Sequence, residues 1–271
     1  YSCMLNEAGG VVDDLIVYYQ DDENYRMVIN AGTTEKDIAW INAQAEGFDV
    51  TVEPKLDLAM IAVQGPNARA KVFEAMPGVE DVAGDLKPFN SASLGGLFIA
   101  RTGYTGELGY EIFTTAEQSN AIWQRILELG ASPVGLGARD VLRLEAAMPL
   151  YGHEIHEDIT PFDAGLRFAV RGWKTREFIG SSALQAAAPS SKKLIGFTTD
   201  KRVPRDGYPV LANGIEVGQI CSGAFSATLQ KPIATAYVPL DCDGPFTVSF
   251  RGKEMPVDVA VLPFVPHRSR D

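Results

Sequence analysis

The chain has few cysteines and few histidines, and this scarcity limits its chemistry. Its 271 residues include only Cys3, Cys221 and Cys242 and three histidines. No CxxC pair is present, and an odd, sparse set of thiols is typical of reduced cysteines in a reducing compartment. His153 and His156 share an acidic loop but lack the HExxH spacing of a zinc protease. We therefore expect no metal site and no Ser-His-Asp catalytic arrangement.

Long apolar runs and excess positive charge are also absent. The longest apolar stretches, such as residues 60–63, have the length of a strand and fall short of the roughly 18 residues of a transmembrane helix. Lys and Arg number 24 against 35 Asp and Glu, which gives a net charge of −11. A chain this acidic has no general attraction for nucleic acid or for anionic membranes, so we expect neither as a partner.

Strands and helices alternate over the first 165 residues, and hairpins occur among them, which favours an α+β fold. Two apolar, β-branched runs flank the polar residues 20–24 and predict a hairpin, and a helix start follows at Thr33 and Thr34. The chain opens at Tyr1 without an initiator Met, in what reads as the middle of a strand, so we expect that N-terminal residues are missing from it. Strands are predicted at 11–19, 25–30, 58–63, 97–101 and 110–114, and helices at 66–75, 116–129 and 138–147.

The composition changes after about residue 185. Residues 186–191 read AAAPSS and indicate a linker, and Asn213-Gly214 is a strong signal for a two-residue hairpin. Many short strands without a convincing helix predict a small barrel or sandwich. We therefore expect an N-terminal region of two α+β subdomains over 1–165, a connector over 166–191 and a C-terminal β domain over 192–271. The six strands of that domain are predicted at 194–199, 208–211, 215–220, 233–238, 246–250 and 256–261.

Two adjacent carboxylates, Asp13 and Asp14, lie at the start of the first hairpin. Neighbouring residues of a strand point to opposite faces, so one side chain can be solvated while the other enters a cavity. A carboxylate inside an apolar run is costly without a partner, which makes one of the two a candidate functional anion. A plain turn rich in Gly and Asp is the alternative.

Two further segments combine glycines with charged residues. Residues 101–111 carry three glycines, which permit close approach of a ligand, although they suit an ordinary loop as well. Glu111 lies between Tyr110 and Ile112 in an apolar strand, so we expect it to have a donor partner. Arg139 follows Gly137 near a helix start, where the helix dipole favours anions. It is therefore held by a carboxylate, aimed at a ligand, or paired within its own helix.

Taken together, these segments resemble the glycine cleavage system T-protein (aminomethyltransferase) family. Residues 6–17 (NEAGGVVDDLIV) carry the resemblance most clearly. Residues 28–31, 35–37, 62–66, 101–111, 135–145, 150–152 and 222–229 extend it in order along the chain.

The resemblance implies a folate-dependent enzyme. Such enzymes move the one-carbon unit of an aminomethyl group from the lipoyl arm of H-protein onto tetrahydrofolate, releasing 5,10-methylenetetrahydrofolate, ammonia and dihydrolipoyl H-protein. The implied fold is a three-domain cloverleaf around a folate channel, with a distorted β-barrel as its third domain, in a bacterial cytoplasm or a mitochondrial matrix. The implied key carboxylate is Asp14, beside the reactive folate nitrogens. By position, the implied folate-binding residues are Tyr1, Asp14, Asn30, Tyr104, Glu111 and Arg139.

Physical chemistry supports these roles, because a carboxylate and a guanidinium can satisfy the amino-pyrimidinone edge of a pterin in one plane. Some positions depart from the family pattern: Ala227 replaces a usual Pro, and Phe168 stands where Trp is common. The alternatives are a folate-dependent demethylase of the same fold and a catalytically incomplete folate-binding fragment. A folate-binding iron–sulfur assembly factor is disfavoured, because its K-G-C-Y-x-G-Q-E element is absent.

Overall fold

The computed structural model describes residues 1–187 and 190–268, in two compact units that the chain enters more than once. Unit 1 contains Tyr1–Ile16, Val28–Thr33 and Asp140–Val265, and unit 2 contains Val17–Met27, Thr34–Arg139 and the segment from Pro266. No helix in the two described ranges is long and apolar enough to cross a membrane. The domain boundaries after residues 165 and 191 stay predictions.

Two paired strands at the start of unit 1 carry the acidic motif. Strand β1 (Ser2–Leu5) runs antiparallel to β2 (Val11–Tyr19) and places Cys3 opposite Asp14. Alternate residues of these strands are buried in a cluster that includes Cys3 and Val11. After a polar turn, β3 (Tyr25–Val28) is the next neighbour of β2 in the sheet, which confirms the predicted hairpin.

A closed six-stranded barrel forms the C-terminal part of unit 1, as the short strands predicted. Its strand order is β10-β11-β8-β13-β12-β9. Asn213 and Gly214 both have positive φ, 52° and 78°, and make the two-residue turn that joins β9 to β10. The barrel is filled by inward-facing apolar side chains. Its strands are β8 (Lys192–Thr198), β9 (Pro209–Ala212), β10 (Ile215–Ser226), β11 (Lys231–Pro239), β12 (Phe246–Phe250) and β13 (Lys253–Ala260).

Helix α5 (Leu136–Glu145) begins and ends two residues before the predicted helix. It ends early because Ala147 has a positive φ of 53°, which a helix cannot adopt. Its last residues belong to unit 1 and carry two buried charges, Arg143 and Glu145. Ser226 and Thr228 donate hydroxyl hydrogen bonds to Glu145. The end of the helix is thereby joined to the barrel by buried polar contacts as well as by packing.

The predicted linker is wrong at its start. Helix α6 (Ser181–Ala187) occupies residues 186 and 187, since a run of alanines favours helix and Leu184 is fully buried beside it. The linker residues 188 and 189 lie outside the described residues.

Unit 2 is built on a four-stranded antiparallel sheet in the order β4-β7-β6-β5. Tyr110 and Ile112 of β7 are fully buried against helices on one face, together with Val72 of α2 and Ile126 of α4. Because strand side chains alternate, Glu111 points to the other face of the sheet. The strands are β4 (Leu58–Gln64), β5 (Ser91–Leu94), β6 (Leu97–Ala100) and β7 (Gly109–Thr115).

The elements of unit 2 differ from the prediction in three places. Helix α2 starts two residues after the predicted Pro66, and the short α3 and strand β5 were not predicted. Residues 91–94 read SASL, a composition that carries little strand signal. The helices are α1 (Thr34–Ala45), α2 (Ala68–Ala75), α3 (Val79–Ala83) and α4 (Ala116–Glu128).

Candidate active site

In unit 1, Asp14 is held between a phenol and an amide. The Tyr1 hydroxyl donates to Asp14 Oδ2 at 2.9 Å, and the Asn30 side-chain amide donates to Asp14 Oδ1 at 2.9 Å. Both carboxylate oxygens therefore accept a hydrogen bond from the protein. Tyr1, Asp14 and Asn30, three of the predicted site residues, lie together in this structure.

The adjacent Asp13 holds the same amide from the other side. It is fully buried and accepts hydrogen bonds from Asn30 Nδ2 at 2.9 Å and from the Asp14 backbone N–H at 2.9 Å. The Thr33 hydroxyl donates to its second oxygen at 2.5 Å. The expected separation of the two carboxylates onto opposite faces is thus wrong, because the Asp13 side chain turns back along the strand and both carboxylates meet one amide.

The surroundings of Asp14 make its carboxylate a stronger base than an exposed aspartate. Burial raises the pKa of the Asp14 carboxyl, and the negative charge of Asp13 raises it further. The hydrogen bonds from Tyr1 and Asn30 lower the same pKa, so they favour the ionised form of the carboxyl. An oriented carboxylate of raised pKa can stabilise a developing positive charge or accept a proton.

In unit 2, Glu111 has the donor partner that the sequence predicted. The Thr102 hydroxyl donates to Glu111 Oε2 at 2.6 Å. The Tyr18 and Thr102 hydroxyl oxygens are 3.1 Å apart, and since the Thr102 hydrogen is directed at Glu111, the Tyr18 hydroxyl is the donor to Thr102. Across the described ranges, no protein donor reaches the other oxygen of Glu111, Oε1. That oxygen remains able to accept hydrogen bonds from a ligand.

The charge of Glu111 depends on two opposing influences. Burial raises the pKa of the Glu111 carboxyl, whereas the Thr102 hydrogen bond and the positive charge of Arg139 lower it. Arg139 lies in the same unit, with its guanidinium 4.6 Å from the centre of the Tyr104 ring. For the alternative of a pair within its own helix, the candidates are Asp140 and Arg143, and these two are bound to each other at 2.8 Å. Unit 2 thus provides a carboxylate acceptor and a guanidinium donor that can bind a polar heterocycle.

The six predicted residues therefore fall into two sets. Tyr1, Asp14 and Asn30 belong to unit 1, and Tyr104, Glu111 and Arg139 belong to unit 2. The residues that support these six were not predicted from the sequence. Asp13 was considered only as an alternative to Asp14, and Thr102 and Tyr18 gave no signal because a hydroxyl in a strand or loop has many ordinary roles.

The cysteine nearest to Asp14 is not suited to nucleophilic chemistry. Burial raises the pKa of the Cys3 thiol to about 12, and the negative charge of Asp14 contributes to this shift. A thiol of that pKa stays protonated and weakly reactive at neutral pH.

Two family models match the chain. The GCVT N-terminal domain matches residues 1–174, and the glycine cleavage T-protein C-terminal barrel domain matches residues 192–266. The second match covers the closed six-stranded barrel.

Curated relatives and a solved structure are also similar to this chain. An aminomethyltransferase of Burkholderia mallei (strain NCTC 10229) is 46% identical over 279 residues, which cover 98% of this chain and 75% of the relative. An aminomethyltransferase of Stenotrophomonas maltophilia (strain K279a) is 48% identical over 274 residues, covering 98% and 74%. The crystal structure of glycine cleavage system aminomethyltransferase T from Bartonella henselae is 33% identical, covers 99% of this chain and 76% of that chain, and has a TM-score of 0.92.

Proposed function

Because the chain belongs to the glycine cleavage T-protein family, whose members are aminomethyltransferases, we propose that it transfers a one-carbon unit from the aminomethylated lipoyl arm of H-protein to tetrahydrofolate. The carbon would exchange its bonds to sulfur and to the amino nitrogen for bonds to two folate nitrogens. The two protons that these nitrogens lose would leave with ammonia and with the lipoyl thiol. The products would be 5,10-methylenetetrahydrofolate, ammonia and dihydrolipoyl H-protein.

The observation that supports folate as the acceptor is the pair of charges in unit 2. A reduced pterin presents donors and an acceptor along one flat edge. Glu111 has one oxygen fixed by Thr102 and a second oxygen available to accept N–H donors, and Arg139 offers planar donors for a carbonyl oxygen. The residues present therefore fit the group, and we propose that Glu111 and Arg139 bind the pterin and that Tyr104 supports Arg139.

We assign Asp14 the catalytic role. Its carboxylate would stabilise the positive charge that develops on the aminomethyl carbon and would take or orient the proton of the attacking folate nitrogen. Tyr1 and Asn30 would keep both carboxylate oxygens oriented before the reaction, so that little reorganisation is needed as charge develops. Their hydrogen bonds also favour the ionised form of Asp14 and so oppose the burial that raises its pKa.

The deciding experiment replaces Asp14 with Asn, which keeps the size and removes the charge. We expect Asp14→Asn to lower the turnover by roughly 10²- to 10⁴-fold, the range found for removal of a general acid–base group. The dissociation constant of tetrahydrofolate should change little. Asp57→Asn, at an exposed loop aspartate, is the matched control and should keep full turnover.

Near-normal turnover of Asp14→Asn with aminomethylated H-protein would contradict the catalytic role. The same assay distinguishes the demethylase alternative, which predicts consumption of methylated donors and no release of ammonia from aminomethylated H-protein. For the reaction as proposed we expect a bacterial cytoplasm or a mitochondrial matrix, where the three free thiols of this chain are stable.

A further inference from the structure

Unit 2 contains an open pocket that lies apart from its candidate site residues. The pocket has a volume of about 280 Å³, just below the roughly 300 Å³ at which small-molecule sites begin. Tyr104, Glu111 and Arg139 are not among the described residues that line it, and Arg26 is the only charged one that is. We call this space the Arg26 pocket. Most of its wall is apolar and comes from Leu58, Leu94, Leu97, Phe98 and Phe113.

The floor of the Arg26 pocket is a row of side chains across the unit 2 sheet. Phe113 is paired with Phe98, and Phe98 is paired with Ser93, so the three side chains share one face of β7, β6 and β5. The rings of Phe98 and Phe113 meet edge-on with their centres 5.7 Å apart. Glu111 is on the same face but two residues earlier in β7, which is about 6.6 Å along a strand. The pocket is therefore a neighbour of the Glu111 carboxylate and does not include it.

A half-buried guanidinium covers this floor. Arg26 belongs to β3, and its guanidinium lies 4.2 Å from the centre of the Phe98 ring. Burial lowers the pKa of Arg26, and in the two described ranges no carboxylate lies within ion-pairing distance of it. The cation–π contact with Phe98 holds the guanidinium in place but supplies no acceptor for its N–H groups. A cation that has lost hydration without gaining a counter-charge favours a negatively charged ligand.

The β5–β6 turn adds backbone donors to the same pocket. Gly95 and Gly96 line it and form a two-residue turn with positive φ of 54° and 84°. Across the part of the chain that the structure describes, neither N–H donates to a protein acceptor. A Cβ at Gly95 would meet no atom within 4 Å, so the space beside the turn is free for a ligand. The pocket thus combines one guanidinium and two turn amides with apolar walls.

We propose that the Arg26 pocket binds a small monocarboxylate with a flat apolar body. The guanidinium would bind both oxygens of the carboxylate, and the body of the ligand would lie against Phe98, Phe113 and the leucines of the wall. One guanidinium matches a single negative charge, whereas a phosphate ester carries up to about two and would leave part of its charge uncompensated. This site goes beyond the proposed aminomethyl transfer and does not depend on it.

The probe is benzoate, which carries one carboxylate on a flat ring. An NMR titration that follows the assigned backbone amide signals should give a Kd of about 1 mM, as expected for so small a ligand, with the largest shifts at Gly95 and Gly96. Benzamide has the same shape without the charge and should bind at least about tenfold more weakly. Inorganic phosphate at the same concentration should leave the two glycine signals unshifted, because it has no apolar body for the walls.

Two variants test the pocket from opposite sides. Arg26→Met keeps an apolar stem over Phe98 and removes the charge, so the Kd for benzoate should rise at least about tenfold. Ser93→Phe keeps Arg26 and fills the pocket with a third ring, at an exposed strand position where an aromatic residue is well tolerated. This variant should also weaken benzoate binding at least about tenfold, since the ring occupies the space of the ligand. Equal thermal midpoints confirm that both variants are folded.

Two control variants remove arginines that lie outside the pocket. Arg202 lies over the Phe250 ring at 3.8 Å in the barrel of unit 1, so Arg202→Met removes a guanidinium of the same kind and should leave the Kd for benzoate unchanged. Arg139→Met removes the guanidinium of the candidate active site and should leave it unchanged as well.

The absence of a saturable shift at Gly95 and Gly96 with benzoate overturns the inference. Equal affinity for benzamide, or an unchanged Kd in Arg26→Met, overturns it too, because the carboxylate would then not be bound by the guanidinium. Loss of binding in Arg139→Met has the same consequence, since benzoate would then occupy the candidate active site. None of these results depends on turnover, so failure of this site is distinguishable from failure of the proposed function.

Discussion

Arg143 at the end of α5 is fully buried and offers the sharpest test of what stabilises unit 1. Its guanidinium donates to Glu154 at 2.9 Å, to the Ser222 hydroxyl at 2.8 Å and to Asp140 at 2.8 Å. Glu154 is buried to the same extent and also accepts hydrogen bonds from the Leu150 N–H and the Thr235 hydroxyl. Arg143→Met keeps an unbranched side chain of similar stem and leaves the Glu154 charge buried without a counter-charge.

The expected cost follows from these contacts. Removing one partner of a buried ion pair costs about 3–5 kcal/mol, because the remaining charge stays desolvated and uncompensated. The two hydrogen bonds that Glu154 keeps are not enough to compensate the charge. Neutralising it should recover much of the loss, since a glutamine at this position can accept from Leu150 and donate to Thr235. We therefore expect Arg143→Met/Glu154→Gln to be more stable than Arg143→Met by about 2 kcal/mol.

Urea denaturation at pH 7 measures these differences as shifts of the midpoint at constant m-value. Arg125→Met is the matched control, because Arg125 pairs with Glu128 on the exposed face of α4. Exposed pairs of this kind contribute about 0.3–0.5 kcal/mol, so this control should change the midpoint very little. A loss below about 1 kcal/mol for Arg143→Met, or no recovery in the double variant, would refute the reasoning.

Three further predictions follow from single contacts. The carboxyl of Asp14 faces the negative charge of Asp13 and accepts hydrogen bonds from the Tyr1 phenol and the Asn30 amide. Because the Asp13 charge raises the pKa of Asp14, Asp13→Asn should move the acidic limb of the kcat–pH profile to lower pH. Thr102→Val removes the hydrogen bond that lowers the pKa of Glu111, so tetrahydrofolate binding measured by calorimetry at pH 7 should weaken roughly five- to tenfold, the worth of about one hydrogen bond. Gly10→Ala would place its Cβ 1.6 Å from a backbone carbonyl oxygen and should lower stability in urea by about 1–3 kcal/mol or more.

Each of these variants has a control of the same kind. Asp57→Asn changes an exposed aspartate and should leave the pH profile unchanged. Thr247→Val removes a hydroxyl that bonds to Glu254 in the barrel and should leave folate binding unchanged. Gly32→Ala meets no atom within 4 Å and should change stability by less than about 1 kcal/mol. An unmoved acidic limb in Asp13→Asn, unaltered binding in Thr102→Val or a stable Gly10→Ala would contradict the corresponding contact.

Local sequence signals were sufficient for much of the fold. The barrel strands were predicted from short apolar runs, and the Asn213-Gly214 turn from the residues that tolerate positive φ. Helix α4 was predicted from apolar residues at helical spacing, with Ile122 and Ile126 buried as expected. Such features depend on neighbours within a few residues, which a single sequence displays directly.

The candidate site was only partly accessible from the sequence. The resemblance supplied Asp14, Glu111 and Arg139 as functional residues, and the apolar strand around Glu111 indicated a donor partner. Neither could identify Thr102 as that partner or show that Asn30 bridges two carboxylates. These contacts join residues that are distant in the chain.

The sequence by itself determined most of the strands and helices, although not α3, β5 or α6, because propensity, alternation and turn chemistry act locally. It also determined which residue types can carry charge into the interior. Only the tertiary structure decided which partner each buried charge has: Arg143 with Glu154 and Ser222, Asp13 with Asn30 and Thr33, and Arg139 over Tyr104. The physical reason is that a buried charge must be satisfied by whatever donors or acceptors the folded chain brings within about 3 Å, and that proximity is a property of the packed chain as a whole.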